Sequence, residues 1–252
     1  MNPNVVLDRA LEPRWLDSAL DTALRDDQSE IKRELLDLNL RDVLPAAEGR
    51  KKTLKILLRV WVNPDRSVAP MIEWGRRRAH DIQDLRPLHL GAMIATYPFF
   101  GQGCAAVGRA LALQGSVEVS QVRKALVAEW GDREIVRVSS RALIRTLRAF
   151  GVLGGRPGNS SSVPGETLTS PPWLHPWIAH ALLLTRRSEE MDRDEVISAA
   201  ELFMFELNGL ASSEYPNLER FVEGGSRVVL RQRSMPHDRS DQAQVSLWRS
   251  GT

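Results

Sequence analysis

Arginines, rather than catalytic side chains, form the most regular chemical pattern in this sequence. Arg141, Arg145 and Arg148 are four and three residues apart, which places them within about 60° on one side of an α-helix. Arg137 lies one turn earlier and extends the row if the helix begins before it. Guanidinium groups aligned in this way suit phosphate oxygens and the two acceptors on the major-groove edge of guanine. The row is therefore a candidate nucleic-acid contact.

The opposite side of the same helix is apolar. The residues on that side, within an arc of about 120°, are Leu143, Ile144, Leu147 and Phe150. Ser139 or Ser140 is the expected N-cap, because a hydroxyl at this position accepts a hydrogen bond from a free backbone N–H. One helix thus has a side for packing on a core and a side for contacting a polyanion.

The segments around this helix predict a winged helix-turn-helix. A helix over 120–130 precedes it, and 151–155 reads as a helix end that turns into a strand. The expected returning strand is 165–169, and the small-residue loop between the strands, which forms the wing tip, carries Arg156. Such a wing can follow a phosphate backbone while the second helix enters the major groove. The alternative interpretation is a solvent-exposed arginine-rich helix followed by an inter-domain linker.

Two further basic groups lie nearer the N-terminus. Lys51 and Lys55 are one turn apart on the polar side of a helix predicted over 48–62, and Arg76, Arg77 and Arg78 are consecutive. We take both groups as candidate flanking DNA contacts. A solvated helix face is the alternative for the two lysines. Three adjacent arginines cannot share one helix face, so at least one of them points away from any single partner.

The charge of the chain is unevenly distributed, although its formal net value is only +2. Residues 41–160 contain 20 Lys and Arg against 10 Asp and Glu, whereas residues 1–40 contain 5 against 9 and residues 161–252 contain 9 against 13. A basic middle between acidic ends favours a polyanionic partner, because lysines and arginines release counterions from a phosphate backbone. The alternative is that these charges only solvate unrelated faces.

The predicted fold class is mainly α, in three regions. Residues 1–84 form a helical N-terminal region, and residues 85–170 form a winged-helix-like module with a short β-hairpin wing. Residues 171–252 form a C-terminal helical domain with a small strand element and a loose tail. In that last region we predict helices over 172–187 and 192–207 and a strand over 227–231. No internal repeat is visible in the sequence.

The residues with catalytic potential lack the neighbours that catalysis requires. The serines at 160–162 have no nucleophile elbow around them. His175 and His180 are five residues apart, about 140° on a helix, which makes them poor joint metal ligands. Cys104 lies among small apolar residues, which predicts a buried and inert thiol. We expect no enzyme activity, no cofactor and no metal site.

Composition bears on the cellular location. The single cysteine excludes an intramolecular disulfide, which favours a reducing cytoplasm. The first residues lack the basic and apolar segments of a signal peptide, and no apolar run approaches the roughly 20 residues that span a bilayer. We therefore expect a cytoplasmic protein without a membrane partner.

Three stretches of the chain carry a family resemblance. They are Leu38-Asn39-Leu40 with the basic helix after it, the apolar run at 95–100, and Glu129-Trp130-Gly131-Asp132 leading to the segment 143–153. Their order resembles the BrxA-type accessory proteins of bacterial BREX phage-exclusion systems, over about residues 30 to 155. The resemblance implies sequence-tolerant binding of duplex DNA, with other proteins of the defence system as partners.

The sequence thus predicts a non-enzymatic protein that binds double-stranded DNA, and the resemblance adds an accessory role in anti-phage defence. One alternative is a protein-interaction adaptor in which the arginine row meets acidic side chains of another subunit. A transcriptional regulator is a second alternative. Fold does not separate these functions, because winged helices serve all of them. The sequence does not define the oligomeric state or a preferred DNA site.

Overall fold

The computed structural model describes residues 7–155, 161–210 and 215–233 of the chain. These residues are mainly helical, as the sequence predicts. The α-helices are α1 (Pro13–Leu24), α2 (Ser29–Leu40), α3 (Ala47–Leu57), α4 (Ala69–Arg78), α5 (Arg86–Thr96), α6 (Pro98–Gln114), α7 (Val119–Trp130), α8 (Glu134–Ala149), α9 (Leu174–Arg186) and α10 (Arg193–Ile197). A π turn at Leu58–Val62 continues α3, and short 3-10 turns lie at Ala79–Asp81 and Ala200–Leu202.

Six short strands form two small antiparallel sheets within the described part of the chain. The strands are β1 (Val117–Glu118), β2 (Leu153–Gly154), β3 (Ser161–Pro164), β4 (Glu190–Asp192), β5 (Leu218–Glu223) and β6 (Arg227–Gln232). The strand orders are β1-β3-β2 and β4-β6-β5. In the first sheet Val117 pairs with Ser162 and Leu153 pairs with Pro164.

The turn between α7 and α8 places the start of α8 earlier than the sequence analysis predicts. α7 begins with a capping box in which the Glu118 side chain and the Gln121 side chain satisfy each other's backbone N–H. α8 begins at Glu134, not at Ser139 or Ser140. Ser140 is buried inside the helix, where its hydroxyl donates to the Val136 carbonyl at 2.7 Å. The predicted cap was wrong because this hydroxyl bonds back to the preceding turn.

The returning strand also differs from its predicted position. It is β3 at Ser161–Pro164 and not 165–169. The next two N–H groups, of Gly165 and Glu166, still donate to the Val152 and Gly151 carbonyls, so the backbone stays close to the segment after α8. A Cβ at Gly165 would lie 2.2 Å from the Gly151 carbonyl oxygen, so only glycine allows this approach. The predicted wing tip was 156–162. Ser161 and Ser162 belong to β3 instead, and 156–160, with Arg156, lie outside the described residues.

The C-terminal region contains less helix and more sheet than predicted. The predicted helix over 192–207 ends at Ile197, where the Ser198 hydroxyl donates to the Asp194 carbonyl at 2.8 Å. Beyond this point the Ala200 backbone packs against Gly108 of α6, and a continued helix would lose that contact. The predicted strand over 227–231 is confirmed as β6, but its neighbours β4 and β5 were not predicted.

The two sheets belong to units with the same order of elements. The first unit has the order α6, β1, α7, α8, β2, β3, and the second has the order α9, β4, α10, the 3-10 turn at Ala200–Leu202, β5, β6. In both sheets the last of the three strands is the central one. Gly115 and Arg187 end the first helix of each unit in the left-handed conformation. Glu118 and Asp192 then precede the next helix as its N-cap. The order of the elements thus repeats, although no repeat is visible in the sequence.

Buried side chains from all three predicted regions form one hydrophobic core. Trp177 of α9 is fully buried and fits against Gly75 of α4 and Gly91 of α5, where added Cβ atoms would lie 3.0 and 2.4 Å from its ring. The backbone N–H of Leu11 donates to the Thr146 hydroxyl at 3.0 Å, which fixes the N-terminal segment on α8. The boundaries at 84/85 and 170/171 stay a prediction, and the core crosses both of them. Among the described helices, none has the length and apolar character needed to cross a membrane.

Candidate nucleic-acid interface

α8 has one buried side and one exposed side, as its sequence period predicts. The buried residues are Val136, Ser139, Ser140, Ala142, Leu143, Ile144, Thr146 and Leu147. Leu143 reaches α6 at Gly103, where an added Cβ would lie 2.1 Å from the leucine Cδ1. The exposed residues are Glu134, Ile135, Val138, Arg141, Arg145 and Ala149. Close packing on α6 holds α8 so that this second set faces solvent.

Arg141 and Arg145 carry uncompensated charge on that exposed side. Among residues 7–155, 161–210 and 215–233, neither guanidinium has a carboxylate within salt-bridge distance or a hydrogen-bond acceptor. Each therefore keeps its full set of five N–H donors for a partner from solution. Planar guanidinium groups of this kind bind phosphate oxygens or the guanine edge with two parallel hydrogen bonds.

Arg148 has a different environment from the other two predicted contacts. It is half-buried, and its Nη2 donates to the Ser161 carbonyl and to the Ser162 hydroxyl, each at 2.9 Å. Its Nε also donates to the Ser162 hydroxyl, at 3.1 Å. These bonds join the last turn of α8 to β3. Arg148 thus positions the hairpin, a role that the sequence row did not predict.

Arg137 is paired with acidic residues at the start of α8. Its Nε and Nη2 donate to the two carboxylate oxygens of Asp132 at 3.0 and 2.8 Å. Its Nη1 lies 3.9 Å from Oε2 of Glu134. The hydrogen bonds from Arg137 lower the pKa of the Asp132 carboxyl. The sequence row is thus divided in the structure: Arg137 and Arg148 have partners, whereas Arg141 and Arg145 have none among the described residues.

A basic cleft between α7 and α8 adds residues that the sequence analysis missed. Its volume is about 430 Å³. The lining residues are Ser120, Gln121, Arg123, Lys124, Val127, Asp132 and Arg137. Arg123 and Lys124 are exposed on α7 and lie on the side away from its buried Val122 and Leu126. The helical period of α7 is enough to predict that Arg123 and Lys124 face solvent, because it places them away from the buried Val122 and Leu126.

The flanking basic groups lie in other parts of the molecule. Lys51 and Lys55 are exposed on α3, which packs against α1 and α2. Arg78 donates to Asp81 at 2.7 Å and lies 4.3 Å above the Trp173 ring. Arg76 is half-buried on α4, where desolvation lowers its pKa, and Arg77 is exposed. Arg156 lies outside the described residues.

His175, His180 and Cys104 are buried in the core. His175 accepts at Nδ1 from the Gly209 N–H at 2.7 Å and donates from Nε2 to the Ser170 carbonyl at 3.2 Å. His180 lies between the Tyr215 hydroxyl and the Gln232 side chain. Cys104 is fully buried, and burial raises the pKa of its thiol. No group of three or more His, Cys, Asp or Glu within the described ranges is arranged to hold a metal ion.

Comparisons with known proteins give no relative for this chain. No protein family matches it, and neither the curated proteins nor the solved structures contain a significant match. The resemblance to BrxA-type proteins therefore stays a prediction, and the geometry of α7 and α8 is the basis for the proposal below.

Proposed function

We propose that residues 98–164 form a winged-helix module that binds double-stranded DNA, with α8 as the recognition helix. The order α6, β1, α7, α8, β2, β3 supports this proposal, as does the position of the hairpin directly after α8. In helix-turn-helix proteins the second helix lies in the major groove, and its first turns face the base edges. A role in anti-phage defence stays a prediction from the resemblance alone.

One observation carries the proposal. Arg141 and Arg145 extend from the exposed side of α8 with no acidic partner in the described parts of the chain. Arg123 and Lys124 of the neighbouring helix line the basic cleft, and Arg137 lines it from α8. An acidic protein surface could also contact these charges, but a helix in the major groove places two different phosphate backbones on its flanks. Two helices with basic side chains around one cleft suit that geometry.

A mobility-shift titration with a random duplex of about 30 base pairs tests the proposal. We expect Arg141→Ala/Arg145→Ala to weaken binding by about 10- to 100-fold, because each lost phosphate or guanine contact costs about 1 kcal/mol or more. The control is Arg25→Ala/Arg41→Ala, which removes the same charge from side chains that are 58% and 59% exposed at the ends of α1 and α2, where each is paired with an aspartate. The control variant should bind like wild type.

Salt dependence gives the second arm of the experiment. Wild-type affinity should fall by orders of magnitude between about 50 and 200 mM salt, and the double variant should have a slope smaller by about two, one for each lost phosphate contact. If neither protein binds at low salt, the DNA proposal is wrong and the adaptor function moves ahead. Equal losses in the test and control variants would show that only overall charge matters.

A further inference from the structure

Two aliphatic side chains lie on the exposed side of α8 beside the unpaired arginines. Ile135 is 39% exposed and Val138 is 37% exposed. On a regular helix Val138 is about 20° around the axis from Arg145 and about 60° from Arg141. Ile135 lies one turn before Val138, at the beginning of the helix. In its first turns the exposed side of α8 thus carries Ile135 and Val138 beside Glu134 and the ion-paired Arg137, and Arg141 and Arg145 follow further along.

The fold covers most of these two side chains but leaves more than a third of each accessible to a partner. The residues that attach α8 to the core, such as Val136, Leu143 and Leu147, are on its other side. β-branched side chains lose χ1 freedom in a helix and are poorer helix formers than the polar residues usual on a solvated face. Their position is better explained by a partner with apolar groups next to hydrogen-bond acceptors.

The major groove of DNA has that chemistry. Thymine presents a C5-methyl group there, which is the only apolar group on the base edges, and guanine presents the two acceptors that arginine binds. On the basis of the proposed function, we infer that Ile135 and Val138 contact thymine methyl groups while Arg141 or Arg145 contacts guanine or phosphate. The module therefore prefers thymine-containing duplexes over duplexes that lack the methyl group.

Under the proposed function, Arg141 and Arg145, which have no partner within the described residues, favour DNA as the occupant of this surface. A purely apolar protein groove would accommodate Ile135 and Val138 but would leave Arg141 and Arg145 without acceptors. The exposed Arg123 and Lys124 extend the positive charge to the neighbouring helix, α7. A thymine-rich major groove supplies methyl groups at its floor and phosphates at both edges.

Two duplexes of the same sequence, one with thymine and one with uracil, test the inference by equilibrium titration. Uracil lacks only the C5-methyl group, so hydrogen bonding and backbone charge are the same. Removal of one contacted methyl group should weaken wild-type binding about three- to fourfold, and two contacted methyl groups should give about tenfold. Ile135→Ala/Val138→Ala should bind both duplexes equally, with the salt slope of wild type.

The control variant is Leu113→Ala on α6, since Leu113 is another exposed aliphatic residue, at 86% exposure. It should keep the wild-type preference for thymine. Equal binding of wild type to both duplexes would overturn the inference and leave duplex binding through the arginines intact. A thymine preference that persists in Ile135→Ala/Val138→Ala would also overturn it. Failure to bind either duplex at low salt would instead remove the proposed function itself.

Discussion

The four arginines of the α8 row have different surroundings, and their substitutions should have different effects. Arg141 and Arg145 are exposed and unpaired within the described ranges, whereas Arg148 makes three hydrogen bonds to Ser161 and Ser162 of β3. The sequence predicts that the row lies on one side of a helix. It does not predict the partners of Arg148, because these are 13 and 14 residues away and depend on where β3 begins.

Arg148→Ala should lower the free energy of unfolding by about 1–2 kcal/mol, because it leaves a part-buried carbonyl and hydroxyl without their charged donor. Urea denaturation measures this difference. Arg145→Ala should leave the stability within about 0.5 kcal/mol of wild type, as is usual for an exposed side chain. If both variants lose the same stability, the structural role assigned to Arg148 is wrong.

His180 should make the stability of the protein depend on pH. Desolvation lowers its pKa from 6.5 to about 4, with a smaller opposing effect from the Gln232 hydrogen bond. The unfolded chain therefore binds a proton before the folded chain does as the pH falls. The stabilising contribution is complete above about pH 6.5 and is lost progressively toward pH 4, by about 3 kcal/mol in total.

Unfolding free energies measured between pH 8 and 4 test this prediction. His89 acts in the same direction, since complete burial lowers its pKa while Asp17 opposes the shift. His180→Gln should be less stable than wild type at pH 8 but should show a flatter decline toward pH 4. The same decline in both proteins would exclude His180 as a source of the pH dependence.

Helices were predicted correctly where the local sequence pattern determines them, and less well where a contact with a distant segment ends them. The two sides of α8 were predicted correctly because its apolar and basic residues follow the helical period. The predicted helix over 192–207 was too long because its apolar residues keep a helical spacing past Ile197, where the chain turns to pack on α6. β4 was missed because its pairing with β6 joins residues far apart in sequence. β5 instead pairs with β6 through a local hairpin at Gly224 and Gly225, a turn signal that the sequence contains and the prediction did not use.

Gly108 tests the packing of α6 on the C-terminal unit. A Cβ at this position would lie 2.1 Å from the Ala200 carbonyl oxygen, and a backbone atom cannot move aside as a flexible side chain can. Gly108→Ala should therefore destabilise the protein by about 1–3 kcal/mol in thermal or urea unfolding.

Gly49→Ala is the matched control for this substitution. Gly49 is also in a helix, but its added Cβ would meet only the Ala46 Cβ, at 3.9 Å. Alanine forms helix better than glycine, so this variant should gain up to about 0.5–1 kcal/mol. A neutral or stabilising effect of Gly108→Ala would contradict the observed contact.

At the scale of the whole molecule, one core fixes α8 relative to the rest of the chain. Leu143 packs on Gly103 of α6, Thr146 accepts from the N-terminal segment at Leu11, and α6 packs on the C-terminal unit. The lysines and arginines of the basic segment 41–160 do not form one surface in the structure. They lie in separate groups on α3, on α4 and around α7 and α8. The central claim is that DNA contacts the α7–α8 cleft and the exposed side of α8.

Disulfide trapping tests that claim most directly, because the single native cysteine, Cys104, is fully buried with a raised thiol pKa and should not react. Val138→Cys and the control Leu113→Cys each place one exposed thiol on the surface. A duplex with a mixed-disulfide tether in the major groove should trap Val138→Cys rapidly and Leu113→Cys slowly, by thiol–disulfide exchange that releases the small thiol of the tether. The same tether in the minor groove should trap neither. Equal trapping of the two variants, or trapping of Val138→Cys through the minor groove only, would contradict the account.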